Sequence, residues 1–323
     1  MRYYDATQAP IQIRGLVDGY NRLPGGIIGR VNDGVTGLAC NSAGGRVRFA
    51  TDSSKIEIEV KLNGSGQMSH MTLLGKSGVD FYVDGVFAGS VMPPDADETD
   101  YSGTVTLKGS GKKQVEINLP LYNGVTDIVL GTDDGALLEA PRGYTHEEPI
   151  VFYGSSITQG GCASRPGNCY TSFVARRFDA DHINLGFSGS ARGETIMAEY
   201  IAGLKMSAFV LDYDHNAPSA EHLMDTHSAF FNIVRAAQPQ LPIVIVTKPD
   251  FDSDVPANTR RRAIIMKTYL DALEAGDENV YFCDGKAMFS DTDRDACTVD
   301  GCHPNDLGFY RMADAVCREL VLR

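Results

Sequence analysis

The rhythm of apolar residues changes once, near Pro149, and that change limits the possible folds more than any other feature of the chain. Up to about residue 148 the turn signals come thick: Pro24-Gly25-Gly26, Asp33-Gly34, Gly44-Gly45, Asn63-Gly64, Asp84-Gly85, Asn123-Gly124 and Asp134-Gly135. Short alternating runs lie between them. Ile56, Ile58, Val60 and Leu62 face one way, with Glu57, Glu59 and Lys61 the other; Val115, Ile117, Leu119 and Leu121 repeat the pattern. Period-two alternation with turns at this spacing predicts an antiparallel β-sandwich. Gly109-Ser110-Gly111-Lys112-Lys113 lacks the earlier Gly and the hydroxyl residue of a phosphate-binding loop and reads as a hairpin turn.

From Pro149 apolar runs alternate with helical stretches. The strand candidates are Ile150 to Tyr153, His182 to Leu185, Phe209 to Asp212, Leu241 to Thr247 and Val280 to Cys283. Helices are expected near Tyr170 to Phe178, 194–204, 219–237 and 257–275, with a last one from about Pro304 to Leu320. Five strands alternating with helices predict an α/β unit, a parallel sheet covered on both faces. The expected division is residues 1–148 for the sandwich and 149–323 for the α/β domain. The joint is the polar segment Ala140 to Glu148, with Pro141, Gly143 and then Pro149.

Composition removes several classes of function. Lys and Arg total 29 against 42 Asp and Glu, a net charge of −13. That balance argues against nucleic acid or an anionic membrane surface as partner. The apolar stretch around Leu241 to Val246 falls far short of the roughly 18 residues a membrane span needs. The opening MRYYDATQ has neither basic nor apolar leader character, so a cytoplasmic protein is expected. Seven cysteines, an odd number, read as reduced thiols there, although Cys162 with Cys169 and Cys297 with Cys302 could each bridge a loop in an oxidising compartment. No CxxC…CxxC spacing marks a zinc site. An oligomer is left open.

In an open parallel sheet, sites collect beyond the carboxyl ends of the strands. Those ends carry Gly154-Ser155-Ser156-Ile157-Thr158, then Asn184 to Gly189, then Asp212-Tyr213-Asp214-His215-Asn216; Asp300-Gly301-Cys302-His303 precedes the last helix. A hydroxyl, a glycine turn, an amide and an Asp-x-x-His pair form the set that acyl transfer needs. GSSIT resembles the first block of the SGNH (GDSL-type) hydrolases, and the four letters fall in chain order on Ser156, Gly189, Asn216 and His303. Asp300 matches the acid three residues before the histidine. Ser155 stands where the family usually has Asp, and Asp-His-Asn-Ala replaces the usual Gly-x-Asn-Asp block. Gly78-Val79-Asp80-Phe81-Tyr82 resembles the GxDLY motif of a β-rich companion domain, with Phe81 in the Leu place.

The resemblance implies a flavodoxin-like hydrolase domain with a Ser156–His303–Asp300 catalytic triad. It implies an oxyanion hole from the Ser156 and Gly189 backbone N–H groups and the Asn216 side chain. No cofactor and no metal are expected. Relatives with this pairing of domains lean towards removing small acyl groups, often acetyl, so a small-molecule or oligosaccharide ester is the expected substrate of a carbohydrate esterase. A lipase or thioesterase for longer chains is the alternative, and a non-catalytic carbohydrate-binding protein the alternative outside enzymes.

Each residue also has a plainer reading. Ser156 alone would be a helix N-cap, Asp300 and His303 a capped helix start, and Asn216 a cap for the helix after Pro218. His215, His222 and His227 read as surface or partly buried histidines, since 222 and 227 do not share a helical face. Arg260-Arg261-Arg262 reads as a solvated helix face. Arg165, in the loop after Ser156, is balanced between substrate contact and a surface role.

Overall fold

The computed structural model describes residues 1–322. The parallel sheet forms because its strands can be buried on both sides. Its order is Ala180–Gly186, His146–Gly154, Ala208–Asp212, Ile243–Val246 and Val280–Cys283, all neighbours parallel. Successive side chains of His146–Gly154 serve two cores. Val151 and Tyr153 pack with Met197, Leu223, Phe230 and Ile265 of the helices Thr195–Ala202, Ala220–Ala237 and Val255–Glu274. Ile150 and Phe152 pack on the other face with Tyr170, Val174, Phe309 and Met312 of Tyr170–Phe178 and Asp306–Glu319. The sheet is thus covered on both faces, as the apolar runs predict.

The N-terminal region builds two antiparallel sheets. One orders Arg2–Asp5, Val125–Thr132, Lys55–Leu62 and Asp100–Thr106. The other contains Gln12–Arg14, Arg46–Thr51, Val79–Val83, Val86–Val91, Lys113–Asn118 and Leu138–Glu139. Ile56, Ile58 and Val60 from the first meet Val47, Phe49, Phe81 and Ile117 from the second in one core. The first parallel strand starts at His146, inside the segment expected to be the joint.

Two local expectations fail. Asp33-Gly34 is not a turn but the start of the helix Asp33–Leu38, because the Asn32 side chain accepts the Val35 N–H and caps it. Gly109 to Lys113 is not a hairpin. Asp100–Thr106 pairs with Lys55–Leu62, whereas Lys113–Asn118 pairs with Arg46–Thr51 and Val79–Val83, so this turn crosses between the sheets. Gly109 and Gly111 supply its left-handed backbone.

The N-terminal region is fastened to the α/β region by polar contacts, the innermost of them buried. Asp80 of the GVDFY motif is fully buried, and its carboxylate accepts from Arg165 Nη1 at 2.7 Å, Gly167 N–H at 2.9 Å and Asn118 Nδ2 at 2.8 Å. Tyr82, two residues on, accepts from Arg165 Nη1 at 2.8 Å. The Arg165 guanidinium also lies 4.0 Å from the Phe87 ring centroid. Gln159 Nε2 donates to the Leu121 carbonyl, and Thr72 Oγ1 to that of Ser164.

Candidate active site

The strand His146–Gly154 ends in a tight turn, and the short helix Ser156–Gln159 starts at once. Ser155, not Ser156, is its N-cap: the Ser155 hydroxyl accepts the Ile157 N–H at 3.1 Å. The Ser156 hydroxyl is thereby left for other work, and it lies 3.0 Å from His303 Nε2. His303 Nδ1 lies 2.8 Å from Asp300 Oδ2, while Asp300 Oδ1 accepts the backbone N–H groups of Cys302 and His303. Asn305, not Asp300, caps the last helix. Burial pushes the Asp300 carboxyl up, but these donors outweigh it and hold it below the usual carboxylate range. The order hydroxyl, imidazole, carboxylate is the geometry of a nucleophile, its base and the base's orienter.

The expected oxyanion donors are placed differently from one another. Among the described residues, neither the Ser156 nor the Gly189 backbone N–H has an acceptor in the protein. Ser156 opens a helix, so the N-terminal end of that helix favours negative charge there. Gly189 adopts φ +65° with open space around it, a conformation that a Cβ would strain. Asn216 donates one Nδ2 proton to the Phe187 carbonyl at 2.8 Å, which fixes the amide and leaves the second proton free. Ser219, not Asn216, caps the following helix. Gly186 lets the nucleophile turn press onto the neighbouring strand, since a Cβ there would stand 2.2 Å from the Gln159 nitrogen.

Beneath the site, Asp212 accepts from Thr158 Oγ1 at 2.9 Å and Tyr170 OH at 2.7 Å, and burial raises its pKa to about 6. His215 is partly buried, within the expected range. Its side chain is 8% exposed, with Nε2 3.0 Å from Asp250 Oδ1. Burial pushes this imidazole down, and the Asp250 carboxylate more than offsets that, to about 9. Cys302 Sγ lies 3.9 Å from His215 Nδ1. His227 is buried against Thr268 Oγ1, and burial lowers it to about 4. Arg260, Arg261 and Arg262 each hold a carboxylate, those of Glu221, Asp214 and Asp284; Asp214 is fully buried. All seven cysteines are free thiols.

Two residues near the site carried no usable signal in the sequence. His70, from the loop after Lys55–Leu62, sets its ring 5.2 Å from that of His303. Tyr122 OH donates to the Ser156 carbonyl at 2.9 Å. The N-terminal region therefore walls one side of the site. The GVDFY motif fastens the Arg165 loop rather than touching the triad.

Residues 147–321 match the GDSL-like lipase/acylhydrolase family, and residues 1–138 match the N-terminus of SGNH-hydrolase-type esterases. No protein with a curated description matches the chain. Among solved structures, a GDSL-like lipase from Bacteroides ovatus is similar over 98% of this chain and 97% of its own, with TM-score 0.88 and 28% identity. The salicylyl-acyltransferase SsfX3 of a tetracycline biosynthetic pathway is similar over 98% and 96%, with TM-score 0.81 and 22% identity. A family two carbohydrate esterase from Clostridium thermocellum, in complex with cellohexaose, is similar over 86% and 92%, with TM-score 0.63 and 17% identity.

Proposed function

Since the chain belongs to the GDSL-like lipase/acylhydrolase family and is a carboxylic ester hydrolase, we propose that it removes small acyl groups, acetyl above all, from a carbohydrate by a Ser156–His303–Asp300 mechanism. The observation that carries this reading is the unbroken chain Ser156 Oγ to His303 Nε2 at 3.0 Å and Nδ1 to Asp300 Oδ2 at 2.8 Å. Ser156 Oγ attacks the ester carbonyl while His303 Nε2 takes its proton. Asp300 keeps the Nδ1 proton in place and stabilises the imidazolium. The Ser156 N–H, Gly189 N–H and free Asn216 amide proton face the developing oxyanion. His303 then returns its proton to the leaving sugar hydroxyl, and the acyl group stays on Ser156. Water repeats the sequence in reverse and frees the acid.

Residues 1–148 act as the accessory domain and 149–323 as the catalytic domain. The His70 ring, 5.2 Å from that of His303, supports a role for the accessory domain at the mouth of the site. The fold is shared with the cellohexaose-bound esterase and with an acetyl xylan esterase from Butyrivibrio proteoclasticus, TM-score 0.61. That supports a sugar as the alcohol part. Likeness to the salicylyl-acyltransferase over nearly the whole chain favours a second reading, transfer of the acyl group to an acceptor hydroxyl instead of water. The test is a series of p-nitrophenyl esters from two to eight carbons, followed by acetylated oligosaccharides with acid release measured. Each methylene adds about 0.8 kcal/mol of binding only where an apolar surface receives it. A rate that rises towards eight carbons refutes the small-acyl reading. Ester consumed without acid released, in the presence of an acceptor alcohol, supports transfer.

A further inference from the structure

A polar cavity of about 250 Å3 lies between the second antiparallel sheet and the helix Tyr170–Phe178, and it includes none of Ser156, Asp300 and His303. Its floor is set by register. Arg46 and Arg48 stand opposite Asn118 and Glu116 on the neighbouring strand, so four polar residues share one face of the sheet. The helix contributes Ser172, Ala175 and Arg176, and the joint contributes Arg142 and Tyr144.

Four guanidinium groups line this cavity, and carboxylates engage only three. Arg46 pairs with Asp181, Arg48 with Glu116 at 3.2 Å and Arg142 with Asp179 at 2.7 Å. Arg176 makes no ion pair among the described residues; its charge lies 4.3 Å from the Tyr82 ring centroid and 5.1 Å from that of Phe173. Asp84, at the exposed rim, accepts the Gln114 N–H. Two guanidinium nitrogens, Arg48 Nη1 and Arg176 Nη1, are buried and have no acceptor. Arg48 as a whole is 5% exposed. Buried donors on charged groups are costly to leave unpaired, and a planar fork of such donors matches a carboxylate or phosphate.

We propose that this cavity is a second binding site, for a small ligand of up to monosaccharide size that carries a carboxylate or phosphate, whose oxygens accept from Arg48 Nη1 and Arg176 Nη1. The site lies where the two parts of the chain meet, so its ligand also bridges them.

Calorimetric titration of the full chain with inorganic phosphate, D-glucuronate and D-glucose tests this. The expected result is saturable binding of one ligand per chain for at least one of the two anions, with a matching rise in melting temperature, and none for glucose. Binding of phosphate alone or glucuronate alone identifies which oxyanion the site takes. Arg176→Met should weaken that binding about tenfold or more and leave p-nitrophenyl acetate hydrolysis unchanged, which separates this site from the esterase reading. Should that variant fail to fold, Ala175→Leu fills the cavity without removing a charge and should abolish binding. No binding of either anion at tens of millimolar, glucose binding as tightly, or full affinity in the folded variants would overturn the proposal.

Discussion

Replacing Arg165 by Met isolates the contact that joins the two parts of the chain. Asp80 has no exposed surface, and among the described residues Arg165 is its one charged partner, with a side chain 19% exposed. Removing one partner of a buried pair leaves an uncompensated charge, at a cost of about 3–5 kcal/mol. Partial exposure of Arg165 favours the lower figure. At about 2 °C per kcal/mol for a chain of this size, the melting temperature should fall by about 6 °C near neutral pH. The loss should also depend on pH. Burial pushes the Asp80 pKa up and Arg165 pulls it back, so the variant's Asp80 stands higher still. A carboxyl raised in the folded state stabilises at low pH and loses that contribution as pH rises through its folded pKa. The gap between variant and wild type should therefore shrink from pH 7.5 to pH 5. The double variant Asp80→Asn/Arg165→Met buries no charge and should melt above the single variant at pH 7.5. Calorimetry or scanning fluorimetry on the three proteins reads all of this. A single variant within about 1 °C of wild type, or one equally destabilised at both pH values, refutes the reasoning.

Three further outcomes are expected. Asn216→Ala should lower kcat by about 10²–10³ with little change in KM, because the free amide proton acts on transition-state charge; steady-state kinetics on p-nitrophenyl acetate measure it. His70→Ala removes the ring beside His303 and should lower kcat/KM on oligosaccharide esters more than on p-nitrophenyl acetate, with the melting temperature little changed; equal losses would mean the ring acts on His303 and not on the substrate. His215→Gln should flatten the alkaline side of the stability profile. His215 is raised to about 9 and Asp250 lowered to about 2. The pair therefore contributes fully between about pH 4 and pH 6.5, and its contribution is lost as pH climbs through about 9. Wild type should lose more melting temperature than the variant between pH 7 and pH 9.5.

The parallel sheet was legible because burial on both faces leaves little room for polar residues. Ile243–Val246 is fully buried and reads as a pure apolar run. The candidate triad was legible too, since Ser156 and the pair Asp300 and His303 sit at strand and helix ends where periodicity stops. Local signals misled where a distant partner decides the outcome. Asp33-Gly34 is the exception, since its helix cap Asn32 is the adjacent residue and a local signal. Gly109 to Lys113 looks like a hairpin, but the shared core assigns its flanking strands to different sheets. Arg260 is solvated as its run of charge suggests, whereas Arg261 looks solvated only without knowledge of the buried Asp214 that it meets. Asp80 and Arg165 lie 85 residues apart. The approach of His70 to His303 likewise has no periodic signature, because neither loop carries a pattern that names its neighbour.

The central claim is that Ser156 is the nucleophile. The direct test is labelling of the full chain with a fluorophosphonate, with the adduct mapped by tandem mass spectrometry alongside acetate release. The account predicts one adduct, on Ser156, and loss of hydrolysis in step with labelling. It predicts neither adduct nor hydrolysis in a folded Ser156→Ala variant. An adduct on Ser155 or Cys302, or full hydrolysis by Ser156→Ala, would contradict it.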